Sequence, residues 1–140
     1  MALLDTTVFV DLHGRGGARR MAEAEAAIRD LLAVGEILVT SRVNIAEIYS
    51  GVELGKAPQK ELKSLQDYLA WVAILELDDS AARYFGKMRA ELQRQGKLVG
   101  DLDILIGGIA LANGHSVLTR NVDHFSRLLG VKVIAYGKNP

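Results

Sequence analysis

The sequence predicts an α/β fold, a Rossmann-like three-layer αβα sandwich around a central parallel sheet. Short apolar runs of strand length, at residues 2–4, 37–39, 73–75, 116–118 and 131–135, alternate with longer segments whose apolar residues recur at helical spacing. One of those segments, residues 102–113, is apolar on nearly every side, as a helix covered by protein must be. A length of 140 residues with 49% hydrophobic content suits one compact domain, residues 1–140, with a real core.

The elements follow in order. Ala2–Leu4 is a short buried strand, and residues 7–12 begin the first helix. His13-Gly14-Arg15-Gly16-Gly17 is a mobile loop, because it has neither the Lys-Ser/Thr of a Walker phosphate loop nor the dinucleotide-binding glycine pattern. Met21, Ala24, Ile28, Leu31 and Leu32 mark a helix that stops at Gly35. After the second strand, Thr40-Ser41 can cap a helix carrying Val43, Ile45, Ala46, Ile48 and Tyr49, which fades near Pro58. Leu62, Leu65, Leu69 and Val72 give the next helix, and Ala73–Leu75 the third strand. Asp78-Asp79-Ser80 starts a helix burying Ala81, Tyr84 or Phe85, Met88 and Leu92, and Gly96 ends it. In the central helix, Gly107-Gly108 costs about 1 kcal/mol per glycine in propensity, which points to close backbone packing. No repeat, low-complexity tract or linker interrupts the pattern.

Composition excludes several function classes. The 17 basic and 17 acidic residues cancel, which argues against wholesale coating of nucleic acid but permits a local basic rim. Zero cysteines rule out disulfides and thiolate metal sites. No basic segment followed by a long apolar stretch opens the chain, so no signal peptide is expected. Residues 104–112 fall far short of the roughly 20 a membrane span requires. The expectation is a cytoplasmic protein with no membrane contact.

Four acids stand where strands give way to helices or close by: Asp5, Glu47, Asp103 and Asp123. In an open α/β sheet the functional crevice lies at the carboxyl ends of the strands, so such residues can converge. Converging carboxylates repel unless a cation neutralises them, and a hard divalent metal is the natural partner. Each acid also has an ordinary reading. Asp5 could cap the following helix, and Glu47 could be a single helix acid, although its helix carries few other charges. Asp103 could serve the helix macrodipole, but Asp101 suits capping better and leaves Asp103 free to face the cleft. Asp123 could belong to a polar turn. His13, His115 and His124 lack metal-ligand spacing and read as surface or loop residues, with His124 alone near the cleft.

The conjunction of Leu3-Leu4-Asp5-Thr6, Ile45-Ala46-Glu47-Ile48-Tyr49-Ser50-Gly51-Val52, Met88-Arg89-Ala90-Glu91-Leu92, Gly100-Asp101-Leu102-Asp103-Ile104-Leu105-Ile106-Gly107-Gly108 and Leu118-Thr119-Arg120-Asn121-Val122-Asp123-His124-Phe125 resembles the PIN-domain nucleases, specifically the VapC-type toxins of toxin–antitoxin pairs. The resemblance runs nearly end to end. It implies an acidic pocket holding Mg²⁺ or Mn²⁺ that cuts RNA, with Asp5, Glu47 and Asp103 as the three central acids. Thr7 replaces the asparagine common after Asp-Thr. The position often filled by a fourth acid or asparagine falls on Asn121, so Asp123 is either its equivalent or its neighbour. The resemblance also implies a homodimer restrained by a VapB-like antitoxin.

Chemistry assigns roles on that basis. Asp5 and Asp103 are the expected direct metal ligands, while Glu47 binds a second metal or deprotonates the attacking water. Asn121 and Asp123 complete or orient the metal's surroundings, and Thr6 and Thr119 position the carboxylates. Arg42, Arg120 and Arg127 are candidate RNA phosphate contacts. Apolar residues of two helices, Ile45, Ile48, Tyr49 and Val52 with Leu62, Leu65, Tyr68 and Leu69, are expected to leave a groove for the antitoxin. The competing classes are a receiver-like phosphate-sensing switch, a haloacid-dehalogenase-type phosphatase and a non-catalytic interaction module. The receiver reading needs a phosphoacceptor where Asp78-Asp79 reads as a helix cap, and the phosphatase needs an Asp where Thr7 sits.

Overall fold

A computed structural model of the chain describes residues 1–137. Among them the order is β1 (Ala2–Leu4), α1 (Thr6–Leu12), α2 (Ala18–Ala33), β2 (Leu38–Ser41), α3 (Arg42–Leu54), α4 (Pro58–Leu69), β3 (Ala73–Leu75), α5 (Asp79–Arg94), α6 (Asp101–Asn113), β4 (Ser116–Thr119), α7 (Val122–Ser126) and β5 (Val133–Ala135). The expected strands are all present and pair in parallel, in the order β3-β2-β1-β4-β5. The chain starts at the centre, winds outward through β2 and β3, then crosses back to set β4 on the other side of β1. That reversal opens a crevice at the carboxyl ends of β1 and β4, where open α/β sheets hold their ligands.

Alternation along the strands builds the two helical layers. Leu4 joins Phe9, Leu12, Ile28 and Leu65 in the core beneath α1, α2 and α4. Its neighbour Leu3 joins Met88, Leu92, Ile104, Ile109 and Phe125 beneath α5, α6 and α7. Each such side chain, fully buried, contributes about 1.5–3 kcal/mol. The αβα sandwich is as predicted, and so is the close packing at the glycine pair. A Cβ on Gly108 would lie 2.7 Å from the carbonyl oxygen of Ala81, so only glycine lets α5 and α6 approach this closely.

Helix starts follow local chemistry. Ser41 caps α3 by accepting from the Asn44 backbone N at 3.2 Å, and Asp78 caps α5 by accepting from the Ala81 N at 2.9 Å. Three details differ from expectation. Thr40 lies within β2 and donates to the Leu4 carbonyl at 2.8 Å instead of capping. Gly100 is the N-cap of α6, while Asp101 turns outward and accepts from Arg89 Nε at 2.9 Å. Residues 122–126 form a short helix, not a polar turn, which seats Phe125 fully in the core.

The groove expected between α3 and α4 is also absent in that form. Ile45 and Leu65 are fully buried, and Ile48 and Val52 nearly so. Tyr68 packs edge-on against Phe9, His13 and Trp71. These side chains are core, and Tyr49 is the member of the set that stands exposed. Among the described residues no helix is long and apolar enough to cross a membrane.

Candidate active site

Asp5 follows β1 directly and occupies the N-cap position of α1, yet its carboxylate makes no capping bond. It is buried and held through both oxygens instead. Oδ2 accepts from Thr119 Oγ1 at 2.8 Å and from Thr7 Oγ1 at 3.2 Å, and Oδ1 accepts from Asn44 Nδ2 at 3.2 Å. Thr119 ends β4 and Asn44 lies in the first turn of α3, so distant segments converge on one carboxylate. Burial pushes the Asp5 carboxyl above the ordinary carboxylate range; the Thr119 and Thr6 bonds pull it down, and the Asp103 charge adds to the rise.

Glu47 lies three residues after Asn44, on the same face of α3. Its Oε1 accepts from Thr6 Oγ1 at 2.8 Å, and Thr6 Oγ1 in turn accepts from Asn44 Nδ2 at 3.0 Å. Partial burial raises the Glu47 carboxyl above the usual glutamate range. The Thr6 bond opposes this, and the charges of Asp5 and Asp103 reinforce it.

Asp103 projects from the first turn of α6. Its Oδ2 accepts from Asn121 Nδ2 at 3.3 Å and, with the proton assigned to Nδ1, from His124 at 2.8 Å. The Asn121 backbone N donates to Thr119 Oγ1 at 2.8 Å, so one threonine positions both Asp5 and Asn121. Asp5, Glu47, Asp103 and Asn121 line a single cavity of about 230 Å³, bounded further by Asp11, Arg20 and Arg120. A larger cavity, of about 900 Å³, runs along α5, but its carboxylate, Glu91, is paired with Arg94; chemistry, not size, marks the site.

Several expected site residues lie elsewhere. Asp123 is exposed and accepts from Arg127 Nη2 at 3.0 Å, one turn along, which occupies both residues outside the cavity. Arg42 is exposed and donates through Nε to Glu76 at 2.8 Å. Arg120 is buried, not free for a phosphate. Its Nε donates to Asp11 Oδ2 at 2.8 Å, its Nη1 lies 3.5 Å from Glu23, and its guanidinium stands 4.7 Å from the centre of the Tyr136 ring. His115 is buried, contrary to its surface reading, and burial lowers its pKa. His124 is a neighbour of Asp103 and not merely a loop residue. Asp78 is used up as a cap, which removes the residue a receiver-like site would need.

Sequence reasoning passed over Asn44, Asp11 and Arg20. The first two were detectable, since Asn44 shares the inward face of Glu47, and Asp11 falls three residues after the buried Val8, on the apolar stripe of α1.

The donor set fits a hard divalent cation. It offers oxygen alone, and the Asp5 and Glu47 carboxyls are raised in part by charge repulsion within the trio, which a cation would relieve. Among the described residues no three acids or histidines form a preassembled cage. Mg²⁺ does not require one, because it binds through one or two carboxylates and keeps several waters.

The sequence pattern of the PIN domain matches residues 2–129. The chain is 33% identical over 98 residues to ribonuclease VapC2 of Haemophilus influenzae, spanning 70% of this chain and 74% of the relative. The same figures hold for the tRNA(fMet)-specific endonuclease VapC of Shigella flexneri. The fold matches the DNA-bound VapBC of Salmonella typhimurium with a TM-score of 0.82, at 26% identity and 96% coverage of each chain. It matches VapBC2 of Rickettsia felis, bound to a DNA fragment of its promoter, with a TM-score of 0.84 over 97% of this chain and 98% of that one; at 23% identity this likeness concerns the fold alone.

Proposed function

This chain belongs to the PIN-domain family, among its VapC ribonucleases, and from that premise we propose that it hydrolyses RNA phosphodiester bonds at the Asp5–Glu47–Asp103 pocket, with Mg²⁺ or Mn²⁺ as cofactor. The observation that carries the assignment to this pocket is that residues 5, 47 and 103 bring carboxylates into one cavity, each held by a side-chain hydrogen bond from another segment.

Asp5 and Asp103 would hold the metal, with Glu47 at its side. When bound, such a cation neutralises phosphate charge and lowers the pKa of a coordinated water. The remaining work falls to the chain. Thr119, Thr7 and Asn44 fix Asp5 through both oxygens, so its orientation is set before substrate arrives. Thr6 fixes Glu47. The raised carboxyl of Glu47 brings its proton affinity nearer to neutrality, which suits a general base that takes a proton from the attacking water. Asn121 and His124 hold Asp103, and Asn121 takes the fourth position of the site in place of Asp123. In the cell the chain would act in the cytoplasm as the toxin of a pair, as a homodimer restrained by a VapB-like antitoxin.

The decisive experiment is RNA cleavage by purified protein with Mg²⁺ or Mn²⁺, beside Asp103→Asn. Cleavage should vanish in the variant and in chelator while the far-UV circular dichroism of the variant persists. Full activity in either condition refutes the proposal.

A further inference from the structure

Two arginines line the acidic cavity, and they differ in one respect. Arg120 is committed to Asp11 and Glu23. Arg20, in the first turn of α2, forms no ion pair among the described residues, whereas the arginines just before it do: Arg15 with Glu61 and Arg19 with Glu23. A half-buried cation therefore shares a cavity with four carboxylates, those of Asp5, Asp11, Glu47 and Asp103, without forming an ion pair with any of them. Its path is built into the preceding loop. A Cβ on Gly16 would lie 2.6 Å from Arg20 Cδ and 3.1 Å from Asp11 Oδ1, so glycine there leaves the arginine stem room to run beside Asp11.

We infer that Arg20 is an RNA phosphate contact of this site, beside or in place of Arg42, Arg120 and Arg127, each of which is ion-paired. The inference rests on the ribonuclease reading and adds a residue to it. A planar guanidinium presents paired N–H donors matched to phosphate oxygens, and one held off the local carboxylates is available to an incoming anion. A cation on one part of the wall and acids on another also sort the ligands by charge, the substrate to the first and the metal to the second.

The test measures binding apart from cleavage. A fluorescent single-stranded RNA is titrated in chelator with wild type, Arg20→Met, Arg20→Lys and the control Arg19→Met, over a range of salt. Arg20→Met should weaken binding about tenfold and flatten the slope of log affinity against log salt by about 0.7, the value for one phosphate contact on a single strand. Arg20→Lys should keep the slope and lose part of the affinity, since it retains the charge without the fork. Arg19→Met should match wild type. Metal-dependent RNA cleavage by wild type, combined with an unchanged affinity and slope in Arg20→Met, overturns this inference alone. Wild-type protein that neither binds nor cleaves RNA overturns the ribonuclease reading and this inference with it.

Discussion

Replacing Asp11 with asparagine removes one charge from a cluster whose central pair, Asp11 and Arg120, is shielded from water. The side chains of Asp11 and Arg120 are 3% and 7% exposed. Asp11 Oδ2 accepts both Arg120 Nε at 2.8 Å and the Tyr136 hydroxyl at 2.7 Å. Burial first, then the bond to Asp11, holds that tyrosine protonated far above its ordinary range, so it cannot take over the negative charge. Removing one partner of a buried pair costs about 3–5 kcal/mol, because the remaining charge is stranded. Here Glu23 stands 3.5 Å from Arg120 Nη1, and the asparagine oxygen can still accept from Nε. The loss should therefore fall at the lower end, about 3 kcal/mol. An unfolding entropy of about 0.3 kcal/mol/K for a chain of this length converts that to a fall in Tm of about 10 °C. Against a typical stability of about 5–15 kcal/mol the variant stays folded and measurable. Calorimetry of wild type, Asp11→Asn and the double variant Asp11→Asn/Arg120→Met tests the reasoning, since replacing both charges with uncharged side chains should recover part of the loss. A fall of less than about 3 °C in the single variant, or a double variant no better than the single, would refute it.

Mg²⁺ or Mn²⁺ should raise the Tm of the wild type, because the unfolded chain cannot gather Asp5 and Asp103, and the shift should shrink in Asp5→Ala and Asp103→Ala; equal shifts in all three would put the metal elsewhere. Glu47→Gln should stabilise the metal-free protein near neutral pH. The folded pKa of Glu47 is raised, so its contribution is fully present below the unfolded value of about 4.5 and lost as pH rises through the folded one. The variant's advantage in urea melts should therefore shrink on acidification, and an advantage independent of pH would contradict the assignment. Gly108→Ala places a Cβ 2.7 Å from a backbone oxygen, an overpacking cost of about 1–3 kcal/mol. Gly86→Ala on α5 meets nothing within 4 Å and should gain up to about 1 kcal/mol, so calorimetry should move the two Tm values in opposite directions.

The fold was legible because its determinants are periodic and local. Residues 2–4 and 116–118 announce themselves as buried strands, and residues 102–113 can be nothing but a covered helix. The side-chain pairings were not legible, because no spacing rule selects one partner over another. Arg120 follows a strand end, which made a phosphate contact reasonable, but its partner Asp11 is 109 residues away and no spacing rule connects them. Asp123 sits as close to the crevice in sequence as Asn121 does, yet the turn into α7 directs Asn121 to Asp103 and Asp123 to Arg127. The expected α3–α4 groove failed for a different reason. Counting apolar residues overstates exposed surface when a neighbouring helix supplies a ring such as Phe9 of α1, which packs edge-on against Tyr68.

The charge of the donors separates the structural acid from those proposed to hold the metal. Asp5 and Asp11 are both buried and both border the same cavity. Asp11 is neutralised by a guanidinium, which satisfies its charge inside the protein and leaves little attraction for anything else. Asp5 is held by two threonine hydroxyls and an asparagine amide. These neutral donors fix its geometry and leave its charge uncompensated, which is why burial raises its pKa. Glu47 follows the same scheme through Thr6, and Asp103 through Asn121, with His124 supplying positive charge only when protonated. An internal arginine would have stabilised any one of these carboxylates more simply. Arg20 lines the cavity yet pairs with none of them, so the negative charge remains available to a cation from solution.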